Sequence, residues 1–263
     1  MIQAVQSLIL DMDGVLWRGD QALGDLPAVF STIRALELKF VLATNNSTRT
    51  VDMYMQRLAD FGVHVEKWQI VNSSEATAQY LLKRFPQAGP VFIVGEIGLH
   101  KSLEDKGFYH DPEHPQAVVA GMDRQCNFEQ LSQCSMHVRS GLPFIATNPD
   151  PTFPTPKGLI PGTGALLAAI VAASGVEPFV VGKPSPEMYR VALERLKTTP
   201  EHTLVVGDRL ETDIAGAQKL GCQTALVLSG VTLPEAAHAW QPPPDLIIDD
   251  LTSLLNVLCP KKP

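Results

Sequence analysis

The chain has 263 residues, enough for one large domain or two modest ones, and its 45% hydrophobic and 19% charged residues exclude a disordered chain or a coiled coil. Its formal net charge of -7 at pH 7 provides no general field that would attract nucleic acid or an anionic membrane surface. An anionic ligand would therefore need a local source of attraction, such as a metal ion.

Short apolar runs rich in β-branched residues alternate with amphipathic segments along the chain. The runs predict strands at 7–10, 40–43, 91–94, 117–120, 144–146, 179–181, 204–206, 224–228 and 246–248. The segments between them predict helices at 27–38, 50–61, 74–84, 128–138, 163–174, 186–197 and 213–220. Continuous apolar strands that alternate with helices are typical of parallel sheets covered on both faces. We therefore predict an α/β fold with a doubly wound, Rossmann-like parallel sheet.

Four of the predicted strands run into polar segments, which matter because ligands of parallel sheets bind beyond the carboxyl ends of the strands. These segments are 11–14, 44–47, 182–184 and 207–213. The first two are separated from the last two by a region that has strands and helices of its own. We therefore predict that residues 1–72 and 177–263 form a core domain and that residues 73–176 form an inserted α/β domain.

The first polar segment contains two aspartates, Asp11 and Asp13, followed by Gly14, which lets the chain turn sharply. Adjacent carboxylates repel each other unless a cation lies between them or one of them is protonated. Asp208 and Asp213 follow another strand, and together with Asp11 they could hold a hard cation. An oxygen-only site suits Mg²⁺, whereas zinc would call for histidine or cysteine ligands. Without the second acidic cluster, the pair Asp11 and Asp13 would more simply be explained as a helix cap or an Asx turn.

The second and third polar segments offer groups that bind phosphate. The hydroxyl of Thr44 and the turn amides of Asn45 and Asn46 can bind phosphate oxygens without bringing charge. Because these residue types also cap helices, we expect Asn46 or Ser47 to cap the next helix while Thr44 faces the site. Lys183 would be a counter-ion for a carboxylate and a phosphate, although a lone lysine after a strand is more often a surface residue.

These residue types together match covalent phosphoryl transfer. Asp11 would be the nucleophile, Asp13 the proton-transferring carboxyl and Thr44 a neutral anchor for the phosphate. Lys183 and Mg²⁺ would reduce the repulsion between an anionic nucleophile and an anionic phosphate. The covalent aspartyl-phosphate would divide a difficult reaction into two easier steps.

The order of these motifs resembles that of the haloacid dehalogenase superfamily of phosphatases. Residues 11–17, DMDGVLW, are similar to its first motif. Residues 207–213, GDRLETD, and the Thr-Asn-Asn at 44–46 resemble the p-nitrophenyl phosphatase-like subfamily, which includes pyridoxal phosphate and phosphoglycolate phosphatases. Residues 146–150, ATNPD, and 161–165, PGTGA, resemble the cap domain of that subfamily, so the resemblance covers nearly the whole chain.

The resemblance implies a role for each acidic residue. It implies Asp11 as nucleophile, Asp13 as acid and base, and Mg²⁺ on the Asp11 carboxylate, the Asp13 backbone carbonyl and Asp208, with Asp213 nearby. It also implies that the inserted domain is a cap. Residues 150–154 have no histidine where pyridoxal phosphatases of the vertebrate type place one, which counts against pyridoxal phosphate as the substrate.

We therefore predict a Mg²⁺-dependent phosphatase for small phosphomonoesters, such as p-nitrophenyl phosphate, sugar phosphates or nucleoside monophosphates. The alternative is a phosphotransferase or mutase that uses the same covalent intermediate. A binding module that has lost turnover is disfavoured because every expected catalytic position is filled. A dehalogenase that attacks carbon would have less need of Asp13 and the second acidic cluster.

The cap would decide which substrates are used, because a phosphate pocket at open strand ends accepts many phosphomonoesters. We expect the inserted domain to act as a lid and the loop 148–154 to contact the leaving group, mainly through Asp150 and Phe153. The expected partner is a small phosphorylated metabolite, with no nucleic acid polymer and no membrane. A homodimer formed through the cap is a further expectation.

The cysteines indicate a reducing compartment. Cys126, Cys134, Cys222 and Cys259 form no CxxC pair, so we predict free thiols and a cytoplasmic location. The uncharged stretch 158–176 is nearly long enough to span a membrane, but it contains Pro161 and its helical part, 163–174, is too short. We predict that this helix is buried in a core.

Overall fold

The computed structural model describes residues 5–155 and 158–259. The chain forms two compact units, of which the first comprises Met1–Thr44, Tyr54–Val71 and Tyr189–Pro263 and the second comprises Asn45–Met53 and Asn72–Met188. Residues 45–53, 72 and 177–188, which the sequence assigns to the core domain, thus belong to the second unit. The functional division into a core and a cap remains a prediction.

The strands are numbered in chain order. They are β1 (Ser7–Leu10), β2 (Trp17–Arg18), β3 (Gln21–Ala22), β4 (Lys39–Thr44), β5 (Ile70–Asn72), β6 (Gly89–Val94), β7 (Phe108–His110), β8 (Val118–Ala120), β9 (Phe144–Ala146), β10 (Thr152–Thr155), β11 (Gly158–Pro161), β12 (Phe179–Val180), β13 (Thr203–Gly207), β14 (Gln223–Val227) and β15 (Leu246–Ile248).

The α-helices are numbered in the same way. They are α1 (Leu26–Ala35), α2 (Val51–Asp60), α3 (Ser73–Arg84), α4 (Ile97–Glu104), α5 (Phe128–Arg139), α6 (Thr163–Ser174), α7 (Pro186–Leu196), α8 (Ala215–Leu220), α9 (Pro234–Ala239) and α10 (Leu251–Leu258). Each predicted strand and helix is present, with bounds that differ by three residues or fewer.

The first unit is built on a six-stranded sheet with the strand order β15-β14-β13-β1-β4-β5. The central strand β1 pairs in parallel with both β13 and β4, and every residue of β1 and β13 is buried. This burial explains why these strands are continuously apolar, because a parallel sheet covered on both faces has no solvent-facing side. The predicted doubly wound α/β fold is confirmed.

The second unit contains a five-stranded parallel sheet with the order β12-β9-β8-β6-β7. Its two-residue strand β12 precedes Lys183, so Lys183 follows a strand of this second sheet and not of the sheet that carries Asp11. The sequence pattern did not reveal this, because the apolar run at 179–181 is compatible with either sheet.

Two local expectations were wrong. Helix α6 packs only one side, including Leu167 and Ile170, into the core of the second unit, while Ala168 and Ala169 are exposed, so it is not a fully buried helix. The first turn of α2 is capped by Thr50, whose Oγ1 accepts a hydrogen bond from the Met53 N–H at 3.2 Å, rather than by Asn46 or Ser47. Within the described residues, none of the helices has the length and apolar character needed to cross a membrane.

Candidate active site

Three carboxylates meet at the carboxyl ends of the central strands of the first unit. Leu10 at the end of β1 pairs with Val206 of β13, so Asp11 and Asp208 follow neighbouring strands at the same edge of the sheet. One oxygen each from Asp11, Asp208 and Asp213 lies within 4.8 Å of the other two, and all three side chains are buried. The structure thus brings together three of the residues singled out in the sequence.

Asp208 is held in place by the loop that follows β14. Its Oδ2 accepts a hydrogen bond from the Val231 N–H at 2.8 Å, and its backbone carbonyl accepts one from Thr232 Oγ1 at 2.5 Å. Gly230 packs so closely against the Asp208 carboxylate that a Cβ on residue 230 would overlap it. The loop therefore restricts the carboxylate from two sides, through hydrogen bonding and through steric contact.

Asp213 lies in a π-helical turn, Leu210–Ile214, which follows β13. Its Oδ2 accepts a hydrogen bond from the Arg209 N–H at 3.1 Å. The buried hydroxyl of Tyr189 lies 3.0 Å from the Asp213 carbonyl oxygen, to which it can donate. These two contacts fix the turn and one carboxylate oxygen of Asp213, whose side chain is buried.

The carboxylate cluster has the character of a hard-cation site. Three buried carboxylates at such distances repel each other strongly unless protons or a cation neutralise them. The side chains of Asp11, Asp208 and Asp213 offer only oxygen atoms as metal ligands, and oxygen is the ligand atom that Mg²⁺ prefers. The residues present therefore fit a magnesium ion.

Asp13 lies two residues after Asp11 and is only partly buried. Its Oδ1 accepts a hydrogen bond from the indole Nε1 of Trp17 at 2.9 Å. Trp17 is completely buried, so the position of the Asp13 side chain is tied to the packed interior of the first unit.

Thr44 is the last residue of β4 and is buried. Leu42 pairs with Leu10, so Thr44 emerges at the same edge of the sheet as the carboxylate cluster. Asn46, two residues later, accepts hydrogen bonds on its Oδ1 from the Thr48 N–H at 3.0 Å and from the Thr48 hydroxyl at 2.8 Å. This Asx turn occupies the side-chain oxygen of Asn46 and shapes the loop before α2.

Asn45 is bonded to Lys183 through both ends of its side-chain amide. Its Oδ1 accepts from the Lys183 N–H at 2.8 Å and its Nδ2 donates to the Lys183 carbonyl at 2.9 Å. Both residues are buried. The Asn45 carbonyl also accepts hydrogen bonds from Ser73 Oγ at 2.6 Å and from Asn148 Nδ2 at 2.8 Å. Asn45 thus fixes the backbone of Lys183, the predicted catalytic lysine, through two hydrogen bonds.

The loop 148–154, which was predicted to contact the substrate, also forms hydrogen bonds with Asn45. Both carboxylate oxygens of Asp150 lie 3.3 Å from Asn45 Nδ2, and the Asp150 carbonyl accepts from the Gly164 N–H at 2.8 Å. Phe153 lies in β10, where it is paired with Ile160 of the antiparallel strand β11. Asp150 is therefore fixed by long-range contacts, whereas Phe153 belongs to a two-stranded ribbon.

The predicted residues form two groups. The first unit contains Asp11, Asp13, Thr44, Asp208 and Asp213, and the second contains Asn45, Asn46, Asp150, Phe153 and Lys183. Sequence reasoning missed the supporting contacts from Trp17, Tyr189 and the loop 229–232. The Ser-Gly pair at 229–230, directly after a predicted strand, was the available signal for that loop.

The chain matches two models of hydrolase families. Residues 8–109 match a family described as haloacid dehalogenase-like hydrolase, and residues 180–254 match one described as HAD-hydrolase-like. The matched segments include Asp11, Thr44 and Asp208.

Several proteins that are similar to this chain in sequence or structure are described as phosphatases. The dihydroxyacetone phosphatase of Corynebacterium glutamicum is 34% identical over 95% of this chain and 90% of that protein. The p-nitrophenyl phosphatase from Archaeoglobus fulgidus has a TM-score of 0.91 and 32% identity, covering 97% of this chain and 100% of that one. The glycerol phosphate phosphatase of Mycobacterium tuberculosis, solved in complex with magnesium, has a TM-score of 0.89 and 32% identity, covering 96% of this chain and 77% of that one.

Proposed function

Because this chain belongs to the haloacid dehalogenase-like hydrolases and is a phosphoric monoester hydrolase, we propose that it hydrolyses small phosphomonoesters with Mg²⁺ through an aspartyl-phosphate. The resemblance to the p-nitrophenyl phosphatase-like subfamily is confirmed by the family models and the structural neighbours. The observation that carries the proposal is the buried cluster of Asp11, Asp208 and Asp213 at adjacent strand ends.

In the proposed first step, an oxygen of the Asp11 carboxylate attacks phosphorus and the bond to the leaving oxygen breaks. Asp13 donates a proton to that oxygen, so the product leaves as a neutral alcohol. In the second step, Asp13 accepts a proton from water, which attacks phosphorus and releases inorganic phosphate together with the free Asp11 carboxylate. Asp13 thus regains in the second step the proton that it gave up in the first, and Asp11 returns to its free carboxylate.

The remaining groups stabilise charge on the phosphoryl group. Asp11, Asp208, Asp213 and the Asp13 backbone carbonyl would hold Mg²⁺, whose charge reduces the repulsion between the nucleophile and the substrate. Thr44 anchors phosphate oxygens through its hydroxyl, and Lys183 supplies a positive charge. The backbone amides of residues 45 and 46 would add neutral donors for the phosphate oxygens.

Substrate choice is assigned to the second unit acting as a cap over the reaction. Asp150 and Phe153 would contact the leaving group, with Asp150 held by Asn45. The substrates would be sugar phosphates, nucleoside monophosphates or similar metabolites, and p-nitrophenyl phosphate would serve as a general reporter.

We also propose that the chain forms a homodimer through the cap. The four cysteines, all described and free of disulfides, support a cytoplasmic location.

The proposal is tested by phosphate release from a panel of p-nitrophenyl phosphate, sugar phosphates, nucleoside monophosphates, phosphoglycolate and pyridoxal phosphate. Asp11→Asn should retain less than about 1% of the wild-type kcat, a loss of roughly 3 kcal/mol in transition-state stabilisation. Asp249→Asn is the matched control, because Asp249 follows the edge strand β15 of the same sheet and is exposed. It should retain full activity.

A second experiment tests for the aspartyl-phosphate and distinguishes hydrolysis from phosphoryl transfer to another acceptor. Rapid quenching followed by peptide mass analysis should find the phosphoryl group on Asp11. With an added alcohol as acceptor, phosphate should still be released to water. If most of it instead appears on the acceptor, the chain is a phosphotransferase, and if Asp11→Asn keeps its turnover, the covalent mechanism is wrong.

A further inference from the structure

The hydrogen bond between Trp17 and Asp13 is formed by a tight reversal of the chain. The Leu16 N–H donates to the Met12 carbonyl at 2.8 Å, and the Gly14 N–H donates to the Trp17 carbonyl at 2.8 Å. Asp13 and Trp17 also form an isolated β-bridge. The reversal brings an indole N–H to within 2.9 Å of a carboxylate oxygen four residues earlier.

The indole ring is itself held in a defined orientation. It is completely buried and stacks on Phe61, with 6.0 Å between the ring centroids and 28° between the planes. The guanidinium carbon of Arg57 lies 4.4 Å from the centroid of the indole. Arg57 also donates to the Gly19 carbonyl and lies 3.9 Å from the Asp20 carboxylate, so its position over the ring is fixed from a second direction.

We infer that Trp17 is a positioning residue for Asp13, holding one carboxylate oxygen so that the other faces the leaving group. This inference rests on the proposed function, in which Asp13 transfers the proton. A carboxylate that rotates freely spends much of its time in orientations that cannot transfer a proton, and general acid catalysis depends on position. Through the packed indole, the interior of the first unit sets the orientation of a partly exposed catalytic group.

The same contact has a simpler explanation, which the test must separate from this one. A buried indole N–H needs a hydrogen-bond acceptor, and Asp13 would satisfy it even without any effect on catalysis. If that were the whole role, loss of the N–H would lower stability and would affect all substrates alike. A positioning role instead affects substrates according to how much protonation their leaving groups need.

The test is Trp17→Phe, measured as kcat/KM on a series of aryl phosphates with graded phenol pKa values. This ratio reports only the steps up to release of the phenol, so hydrolysis of the aspartyl-phosphate does not enter it. The variant should lose about tenfold more activity on the poorest leaving group than on p-nitrophenyl phosphate, because general acid catalysis contributes roughly 10²- to 10⁴-fold in total. Equal losses across the series would overturn the inference.

Trp68→Phe is the matched control. Its indole Nε1 donates to Glu66 Oε2 at 2.7 Å, which is the same kind of bond at an exposed position. This variant should leave the leaving-group dependence unchanged. If Trp17→Phe fails to fold, 3-benzothienylalanine introduced at position 17 gives the same comparison, because it keeps the ring shape and replaces the N–H by sulfur.

Asp13→Ala separates failure of this inference from failure of the proposed function. If Asp13→Ala steepens the leaving-group dependence and Trp17→Phe does not, Asp13 is the acid and Trp17 does not position it. If neither variant changes the dependence while the wild type turns over the series, the assignment of Asp13 as the acid is itself wrong, and the inference about Trp17 falls with it.

Discussion

Asn45 donates its side-chain amide to both carboxylate oxygens of Asp150, at 3.3 Å each, across 105 positions of the chain. The same amide nitrogen lies 2.9 Å from the Lys183 carbonyl oxygen, so one side chain joins a predicted catalytic residue to a predicted specificity residue. The two contacts have different consequences for catalysis, because Lys183 would meet the phosphoryl group common to all substrates, whereas Asp150 would meet the variable leaving group. Variants of Asp150 and Asn45 should therefore differ in a way that kinetics can resolve.

Replacing Asp150 should change the ranking of substrates. We expect Asp150→Ala to raise KM for the best metabolite substrate several-fold, while kcat/KM for p-nitrophenyl phosphate falls much less, since the carboxylate would contact only the leaving group. Phe153→Ala should act in the same direction. Asp105→Ala is the control, because Asp105 forms an exposed ion pair with Lys101 in the same unit. A parallel loss on both substrates would make the loop structural and place the specificity determinant elsewhere.

Replacing Asn45 should lower activity on every substrate, and the loss of its hydrogen bonds to Asp150 should add a further decrease on the metabolite substrates. Asn45→Ala leaves the buried backbone N–H and carbonyl of Lys183 without these partners, which should cost about 2 kcal/mol in the free energy of unfolding. Displacement of Lys183 should then reduce kcat/KM by a similar factor for every phosphomonoester. Urea denaturation and the substrate panel measure the two effects. An unchanged unfolding free energy, or an unchanged kcat/KM for p-nitrophenyl phosphate, would contradict this role for Asn45.

The strands could be predicted because they depend on local sequence, and the acidic cluster could be predicted because of the geometry of parallel sheets. The apolar runs predict the strands within a few residues, and the carboxyl ends of parallel strands necessarily share one edge of the sheet. Asp11, Asp208 and Asp213 were therefore expected to converge from their positions in the sequence alone. Thr44 was expected at the same edge for the same reason, and the register of β1 with β4 places it there.

The supporting contacts depend on long-range packing and could not be predicted in this way. A two-residue strand such as β12 has too little pattern to indicate which sheet it joins, so the sheet that precedes Lys183 was not foreseen. The bond from Trp17 to Asp13 depends on a chain reversal, and the bond from Val231 to Asp208 depends on a loop 23 residues away. Helix α6 has no polar face to show which side meets water.

Stability should fall at alkaline pH because of two buried thiols. Burial raises the pKa of Cys134 to about 12 and that of Cys222 to about 12, above the value for a thiol in an unfolded chain. The folded chain therefore keeps protons that the unfolded chain loses, so the stabilising effect is complete below the unfolded pKa and is lost as pH rises toward 12. Between pH 8 and 10 the loss should be about 1.5 kcal/mol per thiol.

Chemical denaturation at pH 8 and pH 10 measures this effect. The double variant C134A/C222A should have a smaller decrease in unfolding free energy over this interval than the wild type, although its stability at pH 8 is lower because of the cavities. Comparison of the two decreases cancels the contribution of other groups that titrate in the same range. Equal decreases in both proteins would show that the two thiols do not contribute.

Removal of the metal should abolish activity, and Mg²⁺ should restore it. An excess of chelator should stop phosphate release, because the carboxylate cluster would lose the charge that offsets its own repulsion and that of the substrate. Asp208→Ala should raise the Mg²⁺ concentration needed for half-maximal activity more than Asp213→Ala does, since Asp208 lies directly at the end of β13. Calorimetric titration with Mg²⁺ measures binding independently of turnover. Full activity in excess chelator would refute the metal assignment.

The glycine beside Asp208 should be as important for metal binding as the carboxylates themselves. Any Cβ on residue 230 would overlap the side chain of Asp208, so Gly230→Ala must push the carboxylate or the loop away from its position. The Val231 N–H bond to Asp208 Oδ2 would be strained by the same movement. We expect weaker Mg²⁺ binding and at least a tenfold loss of kcat/KM at limiting Mg²⁺, with partial recovery at high Mg²⁺.

Gly141→Ala is the control, because Gly141 has open space around it. Its positive φ of 95° means that this variant should lower the free energy of unfolding without touching Asp208. Metal affinity should therefore be unchanged in Gly141→Ala and reduced in Gly230→Ala. If Gly230→Ala binds Mg²⁺ as tightly as the wild type, the loop after β14 does not hold the metal-binding carboxylate in place.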